Sequence, residues 1–269
     1  MRDVRPAAVA GTFYPGEPTE LAASVRAFVA GAPASPGSAR GRPKALIVPH
    51  AGYVYSGPIA AGAYARLAGL RASIRRVVIL GPAHRVAVRG LALPSARAFA
   101  TPLGEVEVDR EAVASLRGLP QVVENDAAHA LEHSLEVQLP FLQSMLDGFR
   151  IVPLAVGHAS ADDVAQVLDR LWGGPETLVV VSSDLSHYHR YAEAREIDRE
   201  SADRILSLSR PLDHEQACGA TPINGLLLCA RRRGLEPELI DLRNSGDTAG
   251  DRSRVVGYAS FVFGEGARP

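Results

Sequence analysis

The stretch Lys44-Ala-Leu-Ile-Val-Pro-His50-Ala-Gly-Tyr-Val-Tyr-Ser-Gly57 decides how the rest of the chain is read. Ala45 to Val48 is continuously apolar, which suits a strand covered on both faces, as in a parallel sheet between layers of helix. Pro49 has no N–H to give to a ladder, so the strand ends there. His50 is therefore expected at the carboxyl end of a central strand, the edge of an open α/β sheet where ligands bind. Taken alone, such a histidine is more often structural than functional.

The arrangement recurs. Arg76-Val-Val-Ile-Leu-Gly-Pro-Ala-His84 is a second buried-type run that breaks at Gly-Pro and delivers a histidine. Thr177-Leu-Val-Val-Val-Ser-Ser-Asp184-Leu-Ser-His187 is a third, with an aspartate as well. Arg150-Ile-Val-Pro-Leu-Ala-Val-Gly-His158 is a fourth, interrupted by Pro153. Four of the eight histidines thus follow apolar strands within a few residues. Several histidines on one sheet edge suggest a metal site or a proton-transfer site.

Working outward, Leu21, Val25, Phe28 and Val29 recur at helical spacing and Gly31 fits the helix end. Residues 32–43 carry no apolar period and read as a surface loop. A Gly/Ala-rich helix is expected from about Pro58 to Leu67, short β-like pieces at Leu91-Ala-Leu, Glu105-Val-Glu-Val and Val122-Val123, and helices over 110–116 and 133–146. Ser160-Ala-Asp-Asp163 is a capping-box start. Tyr191 to Leu208 reads as a helix. Thr221-Pro222 opens another that closes at Gly234, and 255–263 is a last strand. The alternation predicts one α/β domain over 1–269, with a mostly parallel central sheet and helices on both faces.

Composition narrows the function. Of 269 residues, 46% are hydrophobic, enough for a sizeable core. A formal net charge of −1 offers no field for nucleic acid or an anionic membrane. Two cysteines, Cys218 and Cys229, make no disulfide framework. No apolar run approaches the ~18 residues of a membrane span, and the first residues lack a signal-type apolar core, so a cytoplasmic setting is expected. P-loop, Gly-x-Ser-x-Gly and Cys-x-x-Cys patterns are absent.

His50 and His84 are the leading metal-ligand candidates. Gly52, Gly57 and Gly81 beside them would let backbone approach a ligand. Cys218 precedes a helix start, where the partial positive charge favours a thiolate; Cys229 reads as core. Asp184 can orient His187 or share proton transfer with it. His129 and His133 stand at helical ligand spacing, with Glu136 a turn further. His133 and Glu136 are expected around the site rather than in it, and His129 is left open. His158, His189 and His214 read as surface or structural.

Gly11-Thr-Phe-Tyr-Pro-Gly16, Pro49-His-Ala-Gly-Tyr-Val-Tyr-Ser-Gly57, Gly81-Pro-Ala-His84, Glu132-His-Ser-Leu-Glu-Val-Gln-Leu-Pro-Phe141, Ser182-Ser-Asp-Leu-Ser-His187 and Cys218-Gly together resemble the MEMO family. Prokaryotic members are labelled AmmeMemoRadiSam system protein B. The resemblance implies a fold similar to LigB-type class III extradiol dioxygenases and a mononuclear site usually discussed as Fe(II). It maps metal ligands onto His50, His84 and Cys218 and pocket residues onto Asp184 and His187; Tyr53 is expected around the site together with His133 and Glu136. The related dioxygenases use a carboxylate where Cys218 stands, and a thiolate favours Cu(I) or Zn(II). The expectation is an O2-dependent oxidoreductase for a small molecule, working with an AMMECR1-like protein and a radical SAM protein. The alternatives are a zinc-dependent hydrolase at the same site and a non-catalytic binder of a peptide or partner.

Overall fold

The computed structural model describes residues 3–33, 41–209 and 211–266. Most of the expected surface loop, residues 34–40, lies outside them.

In chain order the strands are β1 (Val4–Arg5), β2 (Arg42–Val48), β3 (Arg76–Pro82), β4 (Leu91–Leu93), β5 (Ala98–Thr101), β6 (Gly104–Glu107), β7 (Val122–Glu124), β8 (Arg150–Val156), β9 (Thr177–Ser182), β10 (His187–His189), β11 (Leu235–Asn244) and β12 (Val255–Glu265). The helices are α1 (Pro18–Ala30), α2 (Tyr53–Ala65), α3 (Arg110–Ser115), α4 (Asp126–Ala130), α5 (Leu139–Met145), α6 (Ala161–Leu171), α7 (Tyr191–Ser207) and α8 (Ala220–Arg233). The four runs identified from the sequence form the middle of a nine-stranded sheet. They lie side by side as β2-β9-β3-β8, all parallel, so their carboxyl ends share one edge.

Outside this parallel core the sheet is mixed. β12 pairs antiparallel to β2, β10 and β11 pair antiparallel to β12, and β4 runs antiparallel to β8. A separate three-stranded sheet, β1-β5-β6, sits beside it.

Both faces of the central strands are apolar because both are covered. Ala45, Ile47, Val78, Leu80, Val179 and Val181 pack with α6 and α8. Their alternates Leu46, Val48, Val77, Ile79, Leu178 and Val180 pack with α1, α2 and α5. Burying both sides of a strand removes the polar alternation a half-exposed strand would show.

Pro153 does not break β8. By the two-residue period it faces the side of Ile151, whose carbonyl accepts from Asp109 N–H. β4 pairs with β8 only at Ala155 and Val156, so no sheet donor is lost. α2 starts at Tyr53, earlier than expected, and carries Pro58 inside it. The Ser160–Asp163 capping box forms, and Gly234 closes α8 in the left-handed region at φ 66°. β11 was not anticipated. Its side chains are mostly half-buried, so its apolar signal is diluted by Glu236, Glu238 and Asp241.

The expected helix over 133–146 divides into a 3-10 turn at Glu136–Gln138 and α5. The Glu132 carboxylate takes the N–H groups of His133 and Ser134, which ties that segment to its own side chain. This break turns His133 toward the sheet edge.

Candidate metal centre

β2 delivers His50 past Pro49, and the residue is buried. Its ring Nδ1 lies 2.9 Å from Ser182 Oγ at the end of the adjacent β9. Ser182 spends its one hydroxyl hydrogen on Ser134 O, at 2.6 Å, and accepts from Gln138 Nε2 at 2.8 Å. The ring must therefore donate from Nδ1, which leaves the Nε2 lone pair free.

His84 follows β3 and is governed by Glu132. The carboxylate accepts its backbone N–H at 2.6 Å and its Nδ1–H at 2.9 Å. Burial would raise the Glu132 carboxyl. The hydrogen bonds from the His84 ring and from the backbone of Ser134 and His84 outweigh that and hold it at about 2. An ionised carboxylate is acceptor-only, so Nδ1 is the donor, and in the neutral ring Nε2 carries the lone pair. A carboxylate behind an imidazole is the arrangement that orients metal-binding histidines and raises their basicity.

His133 completes the group. Its ring centroid lies 4.7 Å from that of His84 and 5.4 Å from that of His50, and Phe13 packs on it. One ligand atom from each of His50, His84 and His133 lies within 4.8 Å of the others. Burial pushes His50 down to about 3, with the charge of His84 adding to it. Burial likewise pushes His133 down to about 4, with His50 adding. Both rings are therefore neutral at neutral pH, as ligation requires. His133 Nδ1 is buried and makes no hydrogen bond, although Glu132 Oε1 lies 3.4 Å away. The three residues could hold a metal ion.

Cys218 stands beside this group and outside it. Its sulfur lies 3.4 Å from His50 Nε2 and 3.6 Å from Asp184 O. The helix start does not make it a thiolate. Burial, with the Asp184 charge adding, pushes the thiol up to about 12.

Asp184 is buried and accepts His50 N–H at 2.7 Å, with its other oxygen 4.0 Å from His50 Nε2. Burial raises its carboxyl, partly offset by the His50 N–H. His187 is half-buried, and its charge bears on both His50 and Asp184.

Two expected neighbours serve the scaffold instead. Glu136, wholly buried, pairs with Arg5 and accepts from Tyr14 OH at 2.5 Å and from the N–H groups of Ala8 and Val9. It fastens the N-terminal segment to the His133 segment. Tyr53 donates to Val137 O at 2.7 Å and packs on Phe141. Gly81 and Gly57 make room for protein rather than ligand. A methyl at Gly81 would lie 2.8 Å from Ser134 Oγ, and one at Gly57 would lie 2.8 Å from the Phe28 ring. His129 Nε2–H donates to Ala92 O at 2.9 Å, and its own carbonyl accepts from Arg5, so its place is structural. Cys229 is buried in α8 as expected.

Glu132, Ser182 and Gln138 were missed as site residues. Glu132 had a visible signal, an acidic residue directly before a histidine in a polar stretch; Ser182 and Gln138 had none.

Together these features define a mixed α/β protein with a three-imidazole pocket where its parallel strands end. The family model described as Memo-like protein matches residues 5–262, and the chain belongs to that family. The MEMO1 family protein of Sulfolobus acidocaldarius is 36% identical over 97% of this chain and all of that one. Those of Archaeoglobus fulgidus and Aquifex aeolicus are 38% and 35% identical, over 95% and 97% of this chain and 97% and 99% of their own. An uncharacterized protein from Escherichia coli K12 has a solved structure that is similar with a TM-score of 0.53. It is 14% identical, covering 83% of this chain and 100% of its own, a likeness of fold. Among the described residues, no helix is long and apolar enough to cross a membrane.

Proposed function

We propose that this chain holds one metal ion, Fe(II) foremost, on His50, His84 and His133, and acts as an O2-dependent redox enzyme on a small molecule. The observation that carries the reading is the convergence of three imidazoles within 4.8 Å, two with tautomers set by Ser182 and Glu132. Imidazole donors suit Fe, Cu and Zn alike. A bound iron would supply redox chemistry and open coordination positions.

The chain's own residues do the rest. Ser182 and Glu132 hold the Nδ1–H of His50 and His84, so both rings keep their lone pairs inward. Asp184, its carboxyl raised by burial, is held against the backbone N–H of His50 at the edge of the group. His187, at the partly open side, passes protons between Asp184 and solvent. Cys218 abuts His50 Nε2, where a softer metal would draw it in as a thiolate. The kinship to extradiol dioxygenases, a cytoplasmic setting, and cooperation with an AMMECR1-like protein and a radical SAM protein belong to this proposal.

One observation favours a second reading, a zinc-dependent hydrolase. Three imidazoles with no carboxylate among them is a donor set of catalytic zinc. Anaerobic reconstitution with Fe(II), Zn(II) and Cu(I) in competition separates the two. The leading reading expects one iron per chain, lost in His50→Ala and His84→Ala. Zinc retained against excess Fe(II), with no oxygen uptake, favours the hydrolase. Full metal content in both variants overturns the site.

A further inference from the structure

A cleft of about 440 Å³ reaches the histidine group at His84, with Cys218 also in its lining. Its walls include Val86, Val88, Val156 and Pro222, with His158 and His214 among its polar residues. Among the described residues that line it, none is Asp, Glu, Lys or Arg. The walls are fixed to the sheet. His158 N–H donates to Val88 O at 2.8 Å, Gly157 N–H to Gly90 O at 3.0 Å, and Ala83 N–H to Val156 O at 2.9 Å. Gly157 permits this closeness, since a methyl there would lie 2.2 Å from Val88 O. The cleft is thus preformed, apolar along its walls and polar where it meets the histidines, as ligand pockets are.

Resting on the metal reading above, we propose that the cleft takes a small molecule with one metal-binding head and an uncharged, largely apolar body, and rejects bodies bearing a carboxylate or an ammonium. A charge carried by the head is met by the metal. A charge on the body would leave water beside valines and prolines: among the described lining residues no acid is there to pair an ammonium and no Lys or Arg to pair a carboxylate, which meets only the imidazoles of His84, His158 and His214 and the Thr221 hydroxyl, and burying a charge without its counter-ion is costly. Val86, Val88 and Val156 are the specificity-determining residues.

The native thiol tests this without any metal. Cys218 lines the cleft, whereas Cys229 is fully buried on α8. Metal-free protein is treated with butyl, sulfonatoethyl and trimethylammonioethyl methanethiosulfonates. In each case the small thiolate fraction of Cys218, its proton given to solvent, attacks the reagent's sulfenyl sulfur; the new S–S bond forms as the S–SO2 bond breaks and methanesulfinate leaves. Rates are divided by those with glutathione, and Cys218→Ser reports any reaction at Cys229. The neutral reagent should lead each charged one by at least fivefold; a smaller lead over either overturns the proposal. Val86→Lys, at a half-buried wall position, should raise the relative rate of the anionic reagent at least fivefold, and an unchanged rate counts against the wall as the selector.

A second arm uses Co(II)-loaded protein. Hexanohydroxamic acid should bind at least tenfold tighter than adipic monohydroxamic acid or 6-aminohexanohydroxamic acid, read from the visible Co(II) bands. Equal affinities overturn the proposal. Failure to take up Co(II) removes the metal reading instead, and the thiol rates still decide the cleft.

Discussion

Glu132→Gln removes the charge that arranges two of the three histidines and keeps the shape of the side chain. The wild-type carboxylate, almost wholly buried, accepts four N–H groups: the His84 backbone at 2.6 Å, the His84 ring at 2.9 Å, His133 at 3.0 Å and Ser134 at 2.9 Å. A glutamine offers one acceptor oxygen and sets its NH2 against the remaining donors. The carboxyl falls from its ordinary 4.5 to about 2 in the folded chain, which by linkage is about 3 kcal/mol of stability. The sign follows from the depressed value. The contribution is complete above about pH 4.5 and disappears as pH falls through about 2. Urea unfolding of both proteins at pH 7, 4.5 and 3 should show the variant weaker by about 3 kcal/mol at pH 7, with the gap narrowing toward pH 3. Metal affinity should fall by about tenfold to a hundredfold, the usual effect of losing an orienting carboxylate. A gap that does not change with pH would refute the argument, because the carboxylate's charge would then not be what holds the segment.

Two donor sets share His50 and His84, and the third member separates them. His133→Ala should weaken Fe(II) binding more than Cys218→Ser in anaerobic titration; the reverse order would make the sulfur the third ligand. Zinc or Cu(I) binding at Cys218 must displace its proton, so calorimetry in buffers of different ionisation enthalpy should show one proton released by wild type and none by Cys218→Ser. Gly81→Ala should cost about 1–3 kcal/mol in urea unfolding, since the new methyl meets Ser134 at 2.8 Å in a packed interior. Glu136→Gln leaves Arg5 buried without its anion and should cost about 3–5 kcal/mol, while the folded fraction keeps its metal stoichiometry; loss of metal at full stability would instead place Glu136 in the site.

Much of the architecture was legible because it is written in short-range patterns. Runs 45–48, 77–80 and 177–182 had no polar alternation, and a strand covered on both faces is the structure that needs none. Pro49 and the Gly81-Pro82 step marked where two of those strands end. The Ser160–Asp163 box and Gly234 acted within one helical turn, so the helix ends they set were readable locally. The helix over 133–146 was misjudged because its apolar spacing suited a helix. What breaks it is a carboxylate side chain whose other partner, His84, is 48 residues away in the chain.

The sequence by itself determined the parallel core, the edge on which the histidines gather, and the residue types available for a metal. Those follow from period, proline and glycine, which act over a few residues. Which of the histidines converge, and in which tautomer, was decided only by the tertiary structure. The ring of His50 is set by Ser182, 132 residues further on, and that hydroxyl is set in turn by Ser134. The state of Cys218 was likewise decided in three dimensions: burial beside Asp184 outweighs the helix start that the sequence displays. Hydrogen-bond donors and desolvation act through space, and no local pattern in the chain records which distant group will arrive.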